Sequence, residues 1–438
     1  MHRFGTIVGL LLTVVVALAL ASSLAWSQKF TKGDRDHAQG MLRDAAEDVR
    51  KHYYDAKLHG VDWTAKVGQA KANIDKADSM DDAISEIAAL LDSLDDPHTL
   101  FLPPPRAYDH DYGFNMQMVG NRCFITRVRA GSDAEKKGLN VGDEVAAVNQ
   151  YVLSREAFRR TSYIYGTLKP QASLRLTLRA DSGERQLDVK AKYEPSLKLR
   201  YGLLQGVNER YRDWVKRSDR LRARYFEKGD DFLAVRIPAF AFSALETDSI
   251  IGKMRKHKGV VLDLRGNPGG YSDTLARLLG GMFQNDLKIC DRVGRDSTKS
   301  VSVTGRHNDA FVGRLAVLVD SGSSSASEIF ARVVQLERRG FVLGDRSAGS
   351  VMEVGRYRHE TYVDTNVFYA TTVTEADLRM ADGNSLEHLG VVPDIEILPA
   401  AGDLASGRDP AMAKAAGLVG TKISPEEAGT MFPYEDPQ

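Results

Sequence analysis

Between residues 232 and 344, short apolar runs alternate with amphipathic ones, and this rhythm narrows the architecture more than any other feature of the chain. FLAVRIPAF, GVVLDLRG, RLAVLVDS and GFVLGD read as strands. SALETDSIIGKMRKH, GYSDTLARLLGGMF and ASEIFARVVQLE, each lying between two of them, read as helices. Strand–helix alternation predicts an α/β core with a largely parallel sheet. In such sheets the loops at the carboxyl ends of the strands line the active crevice. Two of these loops are unusual here: RGNPGG after VVLDL, and SGSSSASE after LAVLV.

The glycines of the first loop let a backbone turn its amides toward a developing oxyanion. The second sets serines at a helix N-terminus, where partial positive charge favours an alkoxide or a bound anion. Glycine-rich turns also bind phosphates, and serine is a common N-cap. On spacing alone these two turns fit a catalytic centre or a capping and phosphate-binding role. A P-loop is disfavoured, because no lysine follows the glycines in the GxxxxGK[ST] pattern.

With 438 residues the chain is too long for one ordinary core. Lysine plus arginine equals aspartate plus glutamate at 59 each, so the overall charge points to neither a nucleic-acid nor an anionic-membrane partner. Residues 1–27 form an export signal or membrane anchor: Arg3, an apolar run, then small residues around Ser23-Leu24-Ala25. Residues 33–105 read as a helical domain ended by Pro97 and Pro103-Pro104-Pro105, with Ser79 and Asp81 as N-caps for its last helix. Residues 199–222 read as a further helix, with Tyr201, Leu204, Val207 and Trp214 on its apolar face. The stretch 401–438 reads as a polar, frayed tail. Cys123 and Cys290 fall in different modules, which argues for two unpaired thiols rather than a disulfide. No HExxH, CxxC or acidic cluster has metal-ligand spacing, so neither a metal nor a cofactor is expected.

From residue 110 to 195 short strands replace helices. YGFN, then GSDAEKKGLNVGDEVAAVN, then a hairpin around DSGE occur in the order of a PDZ domain, and the stretch resembles the bacterial variety. The resemblance implies an edge strand that pairs with an extended peptide. Gly113, Phe114, Asn115 and Met116 would form the binding edge, with the Gly113 and Phe114 amides nearest a terminal carboxylate.

VVLDLRGNPGG, SSASEIFARVV, GFVLGDRSAGS and LGVVPDIEI follow in the order found in C-terminal-processing (tail-specific) serine proteases, which this chain resembles from about residue 80 to 400. The resemblance implies a multidomain α/β protein: an N-terminal helical region, a PDZ domain, and a ClpP/crotonase-like protease core over residues 196–400. It further implies Ser325 as nucleophile, with Ser323, Ser324 and Ser327 as turn and cap residues. The amides of Ala326 and Gly269 would form the oxyanion hole, Gly270 being the competing glycine, and Arg265 would buttress the turn or hold a substrate carboxylate.

Members of the Ser–Lys type carry their base in a G-E-x-T-F-G-K-G stretch. Here the lysine position falls on Ser350, and no lysine occurs between Gly340 and Ala400. The resemblance therefore shifts to the tricorn-like branch, which uses histidine and glutamate. In this chain those are His98 in SLDDPHTLFL and Glu387 in SLEHLGVVPD. A neutral imidazole can take the serine proton while a carboxylate orients it. Thr99 and Ser350 would stand behind them, Ser350 as a proton relay.

The expected function is that of an exported, envelope or periplasmic, serine endopeptidase whose PDZ domain captures substrate C-termini or extended segments. Two rivals use the same residues: a catalytically inactive peptide-binding scaffold, and a carrier for small apolar ligands. Substrate, cleavage preference and oligomeric state are not encoded in any motif.

Overall fold

The computed structural model describes residues 30–180, 183–196, 222–363 and 365–432. The export segment 1–27 and most of the helix expected over 199–222 lie outside these residues.

The alternation in the centre of the chain folds as a six-stranded sheet. Its order is Arg224–Lys228, Phe232–Arg236, Gly259–Asp263, Arg314–Val319, Phe341–Gly344 and Ile395–Glu396. The first pair is antiparallel and every later pair parallel. Side chains alternate across the sheet. Leu233, Val260, Leu262, Leu315 and Val317 therefore face one way, onto the helices Ala244–Met254, Ser272–Gly280 and Ala326–Leu336. Phe232, Ala234, Val261, Ala316 and Leu318 face the other way.

What covers that second face corrects the sequence reading. Instead of a frayed tail, residues 401–432 form three short helices, and Pro410–Leu418 packs Met412, Ala415 and Ala416 against the sheet. The sheet is apolar on both faces and both must be covered. The segment appears polar because its buried residues are mostly alanines, which give little periodic signal.

A second, antiparallel sheet was not legible in advance. It is built on a long hairpin, Met352–Val363 with Thr365–Met380, to which Leu287–Gly294 and Thr298–Val303 add. Leu100–Leu102, from the end of the helical region, pairs with Thr365–Met380 on the side opposite Met352–Val363. The helices Lys32–His52, Trp63–Asp75 and Met80–Asp92 share one apolar core with Phe101, Tyr369 and Val373. The helical region is thus clamped to the hairpin. Polar contacts reinforce the clamp: His359 Nε2 lies 2.7 Å from Asp48, and the Tyr369 hydroxyl donates to Asp44. Of the two expected caps, Ser79 accepts from the Asp82 amide, whereas Asp81 pairs with Arg106.

The 110–195 module is a twisted antiparallel sheet, with Phe114–Val119 at one edge and Ser173–Ala180 and Gly183–Lys190 as its hairpin. Cys123 is buried in this module and Cys290 in the central core; both are free. Burial pushes their thiols up to about 12 and about 11. Iodoacetamide at pH 8 is accordingly expected to spare both in the folded protein and to modify both in guanidinium, as read by intact-mass spectrometry.

Candidate active site

The two turns singled out in the sequence are fastened to one another. Asn267 is fully buried and works in four directions. Its Nδ2 donates to Ile237 O, its Oδ1 accepts the Gly269 N–H at 2.8 Å, and its carbonyl accepts from the Ser324 amide and the Ser327 hydroxyl. Asp320 closes the other side: its Oδ1 accepts from the Gly266 and Gly322 amides. The serines divide the work. Ser321 Oγ donates to Met118 O, Ser323 Oγ to Leu264 O, and Ser324 Oγ to Pro268 O. Among the described residues, Ser325 alone of this turn has a hydroxyl without a hydrogen bond.

Ser325 also carries backbone strain, with φ +56° and ψ −119°, immediately before the helix Ala326–Leu336. Strain of this kind persists only where surrounding contacts over-determine it. Here Ser325 N–H donates to Ser350 O at 2.9 Å and to Glu328 Oε2 at 3.0 Å. A strained strand-to-helix turn that exposes its serine is the geometry of a nucleophile elbow.

Gly269, at φ +94°, lies against this serine; a Cβ there would fall 2.7 Å from Ser325 Cβ, so no other residue fits. Its amide, however, is spent on Asn267. In this conformation the Gly269 amide, expected to face an oxyanion, is therefore not free to receive one. Gly270 and Ala326 retain amides with no partner among the described residues. Arg265 is also fully engaged, by Asp263 beneath the turn and by Asp409 from the C-terminal segment. Burial alone would raise the Asp263 carboxyl, but the guanidiniums of Arg265 and Arg236 outweigh it and hold it below its ordinary value. Arg265 thus buttresses the turn.

His98 reaches this region from the far end of the helical domain. Asp96 accepts its backbone N–H and the Thr99 hydroxyl, Thr372 donates to its carbonyl, and Thr99 Oγ1 accepts from the Thr374 amide. Thr99 is therefore a structural pin, fully buried, that holds the His98 loop to the hairpin. His98 Nε2 lies 2.9 Å from Ser350 Oγ and 3.5 Å from Glu387 Oε2. Glu387 Oε2 also accepts from Val351 N, while its Oε1 is buried with no partner. Histidine, glutamate and Ser350 are brought together. Ser325 touches this group through the main chain of Ser350, and no hydrogen bond joins its hydroxyl to His98.

Sequence reasoning missed Glu328. It is fully buried, and its carboxylate accepts from Ser347 Oγ, the Gly349 and Ser350 amides, and the Ser325 amide. Its place three residues after Ser325 is the spacing at which an acidic side chain reaches back to an N-cap amide, and that signal was available.

A strained serine at a helix N-terminus, with glycine amides beside it and an imidazole and a carboxylate across Ser350, is an arrangement that can support serine-hydrolase chemistry. Residues 231–397 match the model of peptidase family S41, residues 34–82 the tricorn protease C1 domain, and residues 105–159 the PDZ domain. The chain is 22% identical over 403 residues to a probable CtpA-like serine protease of Staphylococcus haemolyticus, covering 89% of this chain and 71% of the relative. It is 26% identical over 324 residues to the tail-specific protease of Haemophilus influenzae, covering 68% of this chain and 43% of that protein. Mature CPAF shares the fold with a TM-score of 0.63 at 14% identity, over 85% of this chain and 94% of that one. The chain thus carries a peptidase S41 core over residues 231–397 together with a PDZ domain, and is a serine peptidase.

Proposed function

We propose that the chain is an exported endopeptidase that cleaves protein substrates through an acyl-enzyme formed on Ser325. His98 Nε2 accepts the serine proton, Ser350 Oγ carries it from Ser325 to that nitrogen, and Glu387, beside the same nitrogen, stabilises the imidazolium once it forms. The Ala326 and Gly270 amides receive the oxyanion. The PDZ groove holds a substrate C-terminus or extended segment while the scissile bond lies over the catalytic turns. Export rests on the N-terminal apolar segment of the sequence. Among the described residues no helix is long and apolar enough to cross a membrane.

The observation that carries this reading is the hydroxyl of Ser325, left without a hydrogen bond in a turn where every neighbouring serine is bonded. Treating residues 28–438 with a fluorophosphonate probe tests it. Labelling of the parent and of Ser324→Ala, lost in Ser325→Ala, supports the assignment. The missing Ser325–His98 hydrogen bond favours one rival, an inactive scaffold of the same fold. A parent that neither labels nor cleaves an unfolded protein, even with peptide added for the PDZ groove, would establish that rival.

A further inference from the structure

The PDZ groove lies along the open edge of strand Phe114–Val119. It is a cavity of about 490 Å³ lined by Phe114, Met116, Phe158 and Tyr165, and at its far end by Gly266 and Ser321 of the catalytic turns. Gln117 on the same strand donates to Asp320 Oδ2 at 2.6 Å, so the groove runs directly into the active-site loops.

A free C-terminus needs donors at the other end of such a groove, beside Gly113. There Asp111 already occupies two of them. Its Oδ1 accepts the Gly113 N–H at 2.9 Å, and its Oδ2 pairs with the Arg129 guanidinium, a cation beside Gly113 that could receive a carboxylate. Asp111 is held in place by the chain itself, because it ends the ribbon Tyr108–Asp111, paired with Lys192–Pro195. A peptide carboxylate would have to displace an identical group that is tethered, and tethering gives an effective concentration in the millimolar range or above. Exchange of one carboxylate for another gains nothing in charge or hydrogen bonding.

Beyond Gly113 the surface does not close. A second cavity of about 460 Å³ opens there, lined by Asp111, Tyr112, Gly113 and Arg129 together with Lys136 and Lys190. Tyr112 borders both cavities. A chain lying antiparallel to Phe114–Val119 can leave the first and continue into the second.

We infer that this PDZ groove reads an internal extended segment rather than a free C-terminus, and that Asp111 is the specificity-determining residue. The bound segment is apolar along the groove and continues, downstream of it, past the lysines. This rests on the reading of the groove as a peptide site and names the class of peptide it takes.

Fluorescence anisotropy on the full exported chain with Ser325→Ala tests it. The probes are one fluorescein-labelled decapeptide with three apolar residues at its end, made as free acid, as C-terminal amide, and extended by four residues including two glutamates. The amide and the extended peptide are expected to bind at least as tightly as the acid. Adding Asp111→Ala frees the Gly113 amide and Arg129, and the acid is then expected to gain about tenfold over the amide, as one charge-assisted hydrogen bond provides. A parent that binds the acid tenfold better than the other two overturns the inference and leaves the peptide site standing. No gain for the acid in Asp111→Ala removes Asp111 from the role. Absence of binding by all three peptides would overturn the peptide site itself, and the inference with it.

Discussion

Alanine at Ser325 or at His98 is expected to lower kcat by on the order of 10⁴-fold or more, with the fold retained. Ser325 is partly exposed and its side chain holds nothing in place, so its loss removes chemistry and little else. The informative variant is Ser350→Ala. His98 presents a single nitrogen, Nε2, to both Ser350 and Glu387. A proton leaving Ser325 therefore reaches the imidazole through the Ser350 hydroxyl, or only after the ring turns. If Ser350 is the relay, its alanine variant loses about 10²-fold in kcat with KM unchanged, the scale of one proton-transfer group. The main-chain bond from Ser325 N–H to Ser350 O survives that substitution, so binding and turn geometry are preserved. A loss under threefold would show that His98 takes the proton directly. Steady-state kinetics on an unfolded protein substrate, with circular dichroism on each variant, separates these cases.

Glu328→Gln is expected to destabilise the fold by about 2–5 kcal/mol, because its amide nitrogen would face donors that now meet a carboxylate. Four donors from the helix start and the 347–350 loop converge on this side chain, including the amides of both Ser325 and Ser350. Activity should fall with stability, since the strained conformation of Ser325 loses one of its two amide bonds. The pH dependence has a defined sign. Burial pushes the Glu328 carboxyl above its ordinary 4.5, against the opposing pull of its donors. A carboxyl raised in the folded state binds its proton more tightly there than in the unfolded chain. Its contribution to stability is complete below pH 4.5 and is lost as pH rises through the folded value. Glutamine cannot titrate, so the stability gap between parent and Glu328→Gln should narrow from pH 4.5 to pH 7.5 in guanidinium unfolding. A gap that widens would mean the four donors outweigh burial.

Much of the architecture could be read from local pattern. Strand–helix alternation fixed the parallel core, because each strand had to bury both faces between helices. The glycine-rich and serine-rich turns announced themselves through residue types that few other backbone conformations need. The sequence offered a cluster of serines, and the resemblance singled out Ser325 among them as the candidate nucleophile. Its distinguishing physical feature, a hydroxyl left over once Ser321, Ser323, Ser324 and Ser327 are bonded, depends on partners from Met118 to Pro268 and has no local signature.

The tertiary structure decided everything that joins distant segments. His98 stands 252 residues from Ser350, and they meet because Leu100–Leu102 adds to the hairpin strand Thr365–Met380. That hairpin alternates weakly in hydrophobicity, since one part of it meets the helical core and another meets solvent. That the Gly269 amide is already bonded was hidden for a similar reason. Two adjacent glycines look alike in sequence, and only the position of the buried Asn267 side-chain oxygen, Oδ1, shows which amide is already taken. The C-terminal segment read as a tail because alanine-rich helices carry little periodic contrast, yet it covers a whole face of the sheet and supplies Asp409 to Arg265. Sequence by itself determined which elements form and which residue types can carry chemistry. Which of those residues meet, and which amides and hydroxyls remain free when they do, follows from long-range packing that no local pattern records.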